Sequence, residues 1–290
     1  MFDDIEFYLQ DLVSKFRKLK NTGYKYYLSY SGGKDSPFIF WFLRVWLKDY
    51  DYELYIWCLE NIEIVSVNTY MEHQEIKDRM YKNADRVLLP AMKPFEIKEK
   101  YGSPCFSKSQ DDFIDRYQRG SRAKSTLQRV YGNGEDGNWT KFKLNKTARE
   151  LLLSDKLHRV SPKCCKYLKK EPFKKYEKET GRKAILGVRG GESILRKSKY
   201  TTCFGKNGKF TPIHDLSDEL LNKIYEKYNI EIPKIYEYIN RTGCMGCPYG
   251  SWKKQTQKEL ELITPQQKKF VCEHFKESYK VLGILPDKDI

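Results

Sequence analysis

No stretch of this sequence stays apolar long enough to cross a bilayer, and its first residues, acidic and mixed, lack the pattern of a secretory leader. A cytoplasmic chain with no membrane partner is the expectation. No internal repeat or heptad is present, so solenoid and coiled-coil designs are set aside. The segment 31–36 has neither the phosphate-loop spacing G-x-x-x-x-G-K-[ST] nor the G-x-G-x-x-G of dinucleotide folds. What is there is a chain of 290 residues and 34.5 kDa, able to bury a large core as one extended α/β domain or one domain with a small appendage, without a disulfide framework. Lysine and arginine number 54 against 39 aspartates and glutamates, a net charge of +15. That excess points to an anionic partner. RNA or DNA leads, small nucleotides account for part of such a field, and a generally basic surface is the plain alternative.

The most informative segment is Ser31-Gly32-Gly33-Lys34-Asp35-Ser36. Residues 26–30 are aromatic and β-prone, and 38–46 are apolar at helical spacing, so 31–36 must turn a strand into a helix. Gly32 and Gly33 allow a sharp turn whose N–H groups face an anion, and the helix start adds its positive end. Lys34 can offset charge on a departing phosphate, Ser31 and Ser36 can donate hydrogen bonds, and Asp35 can hold Mg2+. The bland alternative is a Gly-Gly turn with a solvated lysine. The segment resembles the S-G-G-x-D-S loop of the adenine-nucleotide alpha-hydrolase, or PP-loop ATP pyrophosphatase, superfamily, which includes adenylating enzymes and the PAPS and APS reductases. This resemblance gives residues 31–36 the grip on pyrophosphate or a related oxyanion. Further on, Asn68-Thr69-Tyr70-Met71-Glu72 is similar to the Asp/Asn-Thr-Gly-x-Glu turn of PAPS reductase-like proteins, with Tyr70 where that pattern has glycine. Asn68 and Thr69 can bond to a ribose or cap the next helix.

Eight cysteines include two pairs, the adjacent Cys164 and Cys165 and the C-x-x-C of Cys244 and Cys247. Neighbouring cysteines do not readily bridge each other, and the glycines around C-x-x-C permit a tight knuckle. Four thiolates suit zinc or an iron–sulfur cluster, and a redox dithiol beside buried, inert cysteines is the alternative. The layout resembles the ligand set of the iron–sulfur-containing branch of the PAPS reductase family. That resemblance implies a 4Fe-4S cluster on Cys164, Cys165, Cys244 and Cys247.

Between the pairs, Gly187-Val188-Arg189-Gly190-Gly191-Glu192-Ser193-Ile194-Leu195-Arg196 follows a buried strand, so Arg189 emerges at a strand end, where open α/β sheets bind ligands. Arg189 can fork onto phosphate or sulfate, Ser193 can add a hydroxyl, Arg196 lies one helical turn on, and Glu192 can orient either arginine. A plain Glu192–Arg196 helix pair is the modest alternative. The block resembles the Gly-x-Arg-x-x-Glu-Ser-x-x-Arg motif of the same family. Within 101–139, Arg116, Arg119, Arg122, Lys124 and Arg129 interleave with Phe113 and Tyr117, a pattern suited either to a nucleic-acid backbone or to a solvated helix. Ser217 or Asp215 is a plausible helix cap, and His214 fits capping or the surface better than catalysis. Cys203 is an unused thiol by default, and Cys58 a core residue.

The order of elements predicts an α/β fold: a parallel sheet flanked by helices, with strands at 26–30, 54–59, 63–67, 87–89 and 184–188, helices at 37–47 and 74–82, and a mainly helical C-terminal region. The expected division is a nucleotide-binding α/β domain at 1–210 with a basic insertion near 101–145, and a helical region at 211–290 completing the cysteine site. The resemblance implies a probable-enzyme reading with three branches. The first is an ATP pyrophosphatase that adenylates an anionic substrate, nucleic acid among the candidates, and couples this to sulfur transfer near the cluster. The second is an APS or PAPS reductase releasing sulfite, and the third a nucleotide- or nucleic-acid-binding protein without turnover. Family reductases carry a nucleophilic cysteine in a Glu-Cys-Gly-x-His-like tail; here Val271-Cys272-Glu273-His274 is the nearest segment, so Cys272 is the candidate nucleophile or a helical core residue. ATP or a sulfonucleotide, Mg2+, a sulfur- or electron-donor protein and a second copy of the chain complete the expected partners.

Overall fold

In the computed structural model, residues 3–132, 142–190, 201–205, 207–239 and 242–284 are described. Contacts divide the chain into two compact units, one of Met1–Asn68, Gln74–Leu89 and Pro172–Tyr236, the other of Thr69–His73, Pro90–Glu171 and Glu237–Ile290.

The first unit is built on four parallel strands, β1 (Tyr26–Ser29), β2 (Ile62–Val67), β3 (Arg86–Leu88) and β4 (Lys183–Leu186), in the order β3-β2-β1-β4. β1 is central, with Tyr26 opposite both Ile62 and Lys183. Strand side chains alternate between two faces, and each face has its own apolar layer. Tyr26, Leu28, Ile62, Ile64 and Ile185 join the larger one, with Leu9, Leu12, Phe16 and Leu19 of helix Asp4–Lys20 and Leu221, Ile224 and Tyr225 of helix Asp218–Lys227. Tyr27, Val65 and Ala184 face the other way, onto Phe173 and Tyr176 of helix Glu171–Thr180. A sheet covered by helices on both faces is therefore the fold, as its alternating elements predict, and the chain after residue 217 is mainly helical.

Two expectations need correction. Residues 54–59 are not a strand but part of helix Tyr52–Asn61, capped by Asp51, whose side chain accepts the Leu54 N–H at 3.0 Å. Leu54 and Cys58, one helical turn apart, are its buried positions. Cys58 is thus core, but on a helix. The units also do not follow a break at 210: helix Asp218–Lys227 belongs with the sheet, while 90–171 groups with 237–290. Helix 37–47 begins earlier, as Asp35–Trp41, and continues through a π turn at Phe42–Trp46 to Leu47–Tyr50. Among the described residues no helix is long and apolar enough to cross a membrane.

The second unit is helical. Helices Lys108–Gln118, Lys124–Tyr131 and Lys146–Leu153 pack around Cys105, Ile114, Val130, Leu144 and Val160. Helices Gln255–Leu262, Pro265–His274 and Lys276–Leu282 enclose Met71, Met245, Leu260, Val271 and Tyr279.

In the first unit Phe16 is wholly buried, 5.4 Å from the Phe42 ring and edge-on to Phe210 at 5.2 Å. Phe16→Ala should lower unfolding stability by about 3–5 kcal/mol, measured by urea denaturation, because the packed layer closes only partly over the cavity.

Candidate functional site

The turn from β1 into helix Asp35–Trp41 is closed by its own hydroxyls. Ser36 Oγ accepts the Ser31 N–H at 2.8 Å and lies 3.0 Å from Ser31 Oγ, and the Gly33 N–H reaches Ser31 Oγ at 3.4 Å. Gly32 is required there. Its φ is +70°, and a Cβ would stand 2.8 Å from the Ile76 carbonyl oxygen. Tyr225 donates its hydroxyl to the Lys34 carbonyl at 2.5 Å, so helix Asp218–Lys227 fixes the far side of the loop.

Arg189 does leave the end of β4, but its guanidinium is only 2 % exposed and lies between carboxylates. Its Nε donates to Asp35 Oδ1 at 2.7 Å, and Nη1 is 2.8 Å from Asp218 Oδ1, without hydrogen-bond alignment to any described residue. Burial alone would make the guanidinium easier to deprotonate; Asp35 and Asp218 more than reverse this. Asp35, expected as a Mg2+ ligand, thus commits one oxygen to Arg189. Lys34 Nζ is 3.4 Å from Asp218 Oδ1, a carboxylate 61 % exposed. Burial pushes the Asp218 carboxyl up, but Arg189 and Lys34 together bring it below the usual range. Glu192, Ser193 and Arg196, the rest of the arginine block, lie outside the described residues.

Asn68 ends the first unit's β2 segment; its backbone N–H donates to the Leu88 carbonyl and its amide to Tyr81 Oη at 3.0 Å. Thr69 belongs to the second unit and is used otherwise. Its N–H and hydroxyl both bond to Glu72, at 3.0 and 2.5 Å, making a tight turn rather than a cap. Tyr70 adopts φ +65°, the left-handed conformation that favours the glycine of the family pattern.

This turn sits against the cysteine knuckle. Thr69 Oγ1 is 3.9 Å from Cys244 Sγ, and the Met245 N–H donates to the Met71 carbonyl at 2.6 Å. The buried His73 Nε2 is 2.5 Å from Glu259 Oε1, and Glu259 Oε2 accepts the Gly246 N–H at 3.0 Å. Tyr279 donates to the Gly246 carbonyl, and Thr256 to that of Cys247 at 2.8 Å. Gly246, at φ +64°, leaves no room for a Cβ, which would stand 2.6 Å from the Tyr279 hydroxyl. His73, Glu259, Thr256 and Tyr279 carried no signal in the sequence beyond ordinary helix-face residues.

The four ligand candidates share one electrostatic neighbourhood: Cys164 responds to Cys165, Cys247 and Cys244, and Cys247 to Cys244 and Cys165. Among the described residues no group of three or more His, Cys, Asp or Glu is arranged to hold a metal ion. The donor type itself, four thiols with cations beside them, is one that zinc and iron–sulfur clusters both take. Lys169 is held strongly protonated, chiefly by Cys244, and Lys108 and Lys169 favour the Cys165 thiolate. Within the adjacent pair, the hydrogen bond from Cys164 is the main force drawing the Cys165 thiol down to about 5 against burial, and the same bond leads in holding Cys164 far above the usual range. No disulfide is formed by any of the eight cysteines.

The remaining candidates are elsewhere. Cys272 lies half-buried in helix Pro265–His274, packed with the Met71 and Met245 cluster. Cys203 is in the first unit, 3.6 Å from His214 Nδ1, and Ser217 provides the helix cap, accepting the Leu220 N–H at 3.1 Å.

The sequence matches no protein-family model and no curated protein. Among solved structures, the chain is similar to the NH3-dependent NAD synthetase of Campylobacter jejuni in complex with nitrate ion, at 14 % identity over 99 % of each chain and a TM-score of 0.36. It is also similar to the NAD+ synthetase of Burkholderia pseudomallei, at 14 % identity over 99 % of this chain and 92 % of that one, with a TM-score of 0.41.

Two measurements follow from the geometry. A Cβ on Gly187 would stand 2.9 Å from the Ser36 nitrogen and 3.1 Å from the Asp35 carbonyl carbon. Gly187→Ala should therefore displace the loop and lower unfolding stability by about 1–3 kcal/mol in urea denaturation, with far-UV circular dichroism unchanged. In metal-free protein, iodoacetamide labelling of Cys165, followed by mass spectrometry, should rise with pH through a midpoint well below that of an ordinary thiol. Replacing Cys164 with alanine should shift that midpoint upward, since it removes the hydrogen bond to the Cys165 sulfur.

Proposed function

We propose that the chain binds ATP at the 31–36 loop, cleaves it between the α and β phosphates, and adenylates an anionic substrate ahead of a sulfur-transfer step served by a 4Fe-4S cluster. The observation that carries this reading is the loop itself: a glycine turn at the C-terminal end of the central strand, closed by Ser31 and Ser36, with Lys34 at its rim. In open parallel sheets ligands bind at that end of the strands. In this reading Lys34 balances the negative charge on departing pyrophosphate, and the Ser31 hydroxyl and the loop N–H groups other than those of Ser31 and Gly33 are the donors for its oxygens. Arg189 acts behind the loop rather than on the phosphates, holding Asp35 and through it the helix start. Asp35 keeps one oxygen for Mg2+. Attack by a substrate oxygen on the α phosphorus releases pyrophosphate and leaves the substrate as a mixed anhydride or ester of AMP, a good leaving group for a later sulfur nucleophile.

Cys164, Cys165, Cys244 and Cys247 would hold the cluster, which supplies electron storage or a local positive-to-negative charge balance when bound. The chain's own part is firmer: His73, Glu259, Thr256 and Tyr279 fix the knuckle's backbone, and Lys169 and Lys108 offset thiolate charge. A sulfur or electron donor remains part of this reading, because the residues named provide no source of sulfur.

Lys34→Ala should reduce pyrophosphate release by roughly 10²–10³-fold in kcat while leaving the melting temperature within error, since its one ion pair is to an exposed carboxylate. Full turnover in the folded variant would remove Lys34 from the reaction. Anaerobically purified protein should contain ~4 iron and ~4 sulfide per chain, and Cys164→Ser or Cys247→Ser should each lose most of both; one zinc per chain with no sulfide would overturn the cluster. Incubation with ATP and cellular RNA or DNA should yield AMP and pyrophosphate. Sulfite from APS or PAPS with a dithiol, abolished by Cys272→Ala, would instead establish the reductase reading, and nucleotide binding with neither product the non-catalytic one.

A further inference from the structure

Residues of helix Lys108–Gln118, the turn after it and the segment 152–159 enclose a cleft of about 470 Å3 in the second unit. That volume falls in the range of about 300–1,000 Å3 typical of sites for a single small ligand. Leu152 and Leu157, both buried, supply apolar lining, and Tyr117, Arg119, Arg122 and Arg159 supply the rest of the wall used here. The three guanidinium groups are not equivalent. Arg119 is neutralised by Asp115, at 2.8 Å. Arg122 lies over the Tyr117 ring at 4.2 Å and donates to the Tyr117 and Ser121 carbonyls at 3.1 and 3.0 Å, contacts that orient it without an opposing charge. Arg159 makes no ion pair or side-chain hydrogen bond among the described residues. Two carboxylates share the lining: Asp115, which also lies 3.5 Å from Lys163, and Asp155, held at φ +57°.

The wall is preformed. Gln118 accepts the Val160 N–H at 3.0 Å and donates to the His158 carbonyl at 2.9 Å, which clamps the segment bearing Arg159 to the helix bearing Tyr117. A ligand therefore has little ordering to impose on it.

We infer that this cleft binds one nucleotide of a single-stranded nucleic acid, its phosphate facing Arg122 and Arg159 and its base against Tyr117 and the leucines. Two guanidinium groups without carboxylate partners, Arg122 oriented by its own contacts and Arg159 carried on a clamped segment, call for an oxyanion, and the forked geometry of arginine suits phosphate. The ring and the leucines call for a flat apolar group attached to it. A base splayed from a single strand meets both demands, whereas a base held in a duplex is hidden in its stack. A strand is favoured over a free nucleotide because the helices carrying the cleft also present the exposed Lys124, and Arg116 in its pair with Asp112 at 2.6 Å, and the whole chain carries +15. The inference stands apart from the adenylation reading, which rests on the first unit's loop.

The test is fluorescence anisotropy with labelled oligothymidine and oligouridine, a labelled hairpin duplex and unlabelled AMP as competitor, each over a series of salt concentrations. Arg122→Ala with Arg159→Ala should weaken single-strand binding by roughly tenfold or more, and flatten the dependence of log K on log salt by about 0.7, the value for one lost phosphate contact. Lys175→Ala with Lys178→Ala, removing two exposed charges from the first unit, should leave affinity within about twofold, short of the 1.4 kcal/mol that makes tenfold. Should the double variant melt early, Arg159→Ala alone is expected to keep the wild-type melting curve and flatten the slope by part of that roughly 0.7. An unchanged slope in folded variants, a duplex bound as tightly as the single strand, or AMP displacing the strand at the strand's own dissociation constant would each overturn the proposal.

Discussion

The candidate nucleotide site depends on one buried cation. Arg189, 2 % exposed, is an expensive group to hold in an apolar surrounding unless carboxylates meet it, and Asp35 and Asp218 do so from two different elements. Asp35 begins the helix after the loop, and Asp218 begins the helix whose Tyr225 ties down the Lys34 carbonyl. The end of β4, the loop and the helix Asp218–Lys227 are thereby set by the same charge. Gly187, two residues before Arg189, brings the β4 backbone close to Ser36 and lets this happen. Because the Asp218 carboxyl titrates below its ordinary value, its contribution to the folded state is present at neutral pH and declines as pH falls through that lowered pKa.

That arrangement separates two jobs that a basic block in a sequence merges. A guanidinium at a strand end reads as an anion ligand, yet here its two nearest partners are the protein's own carboxylates. Lys34, paired among the described residues with the exposed Asp218, is the cation that the adenylation reading assigns to an incoming anion. The division makes physical sense, since a group that positions the loop must be rigid, and a group that follows charge onto a leaving phosphate must be able to move.

Much of the fold was legible because it is local. The 31–36 turn, strands β1 and β2 and the helix Gln74–Asn83 are each decided by short patterns of apolar spacing and glycine. Residues 54–59 were not, because a short apolar run is compatible with either period, and the deciding signal was the Asp51 cap lying outside it. Arg189's burial depended on contacts with residues far away in sequence, and so did the grouping of 90–171 with 237–290. The Thr69–Glu72 turn was only partly legible. Its resemblance to a nucleotide-binding pattern suggested a ribose contact or a helix cap, and the contacts of Thr69 and Met71 with Cys244 and Met245 had no signal in the sequence. Tyr70 at positive φ marks where the pattern's glycine was needed for the same backbone course, a conformation sustained by the Thr69–Glu72 bonds on one side and the Met71–Met245 bond on the other.

The cysteine group shows how a protein can hold several thiols together before any metal arrives. Burial raises Cys244 and Cys247, and the bond within the adjacent pair raises Cys164. Only Cys165 gives its proton up readily, with Lys108 and Lys169 nearby to receive the charge. Four thiolates in a closed space would repel one another and exceed what two ammonium groups offset. The knuckle held by Glu259, Thr256 and Tyr279 keeps its backbone in place whatever the charge on the thiols.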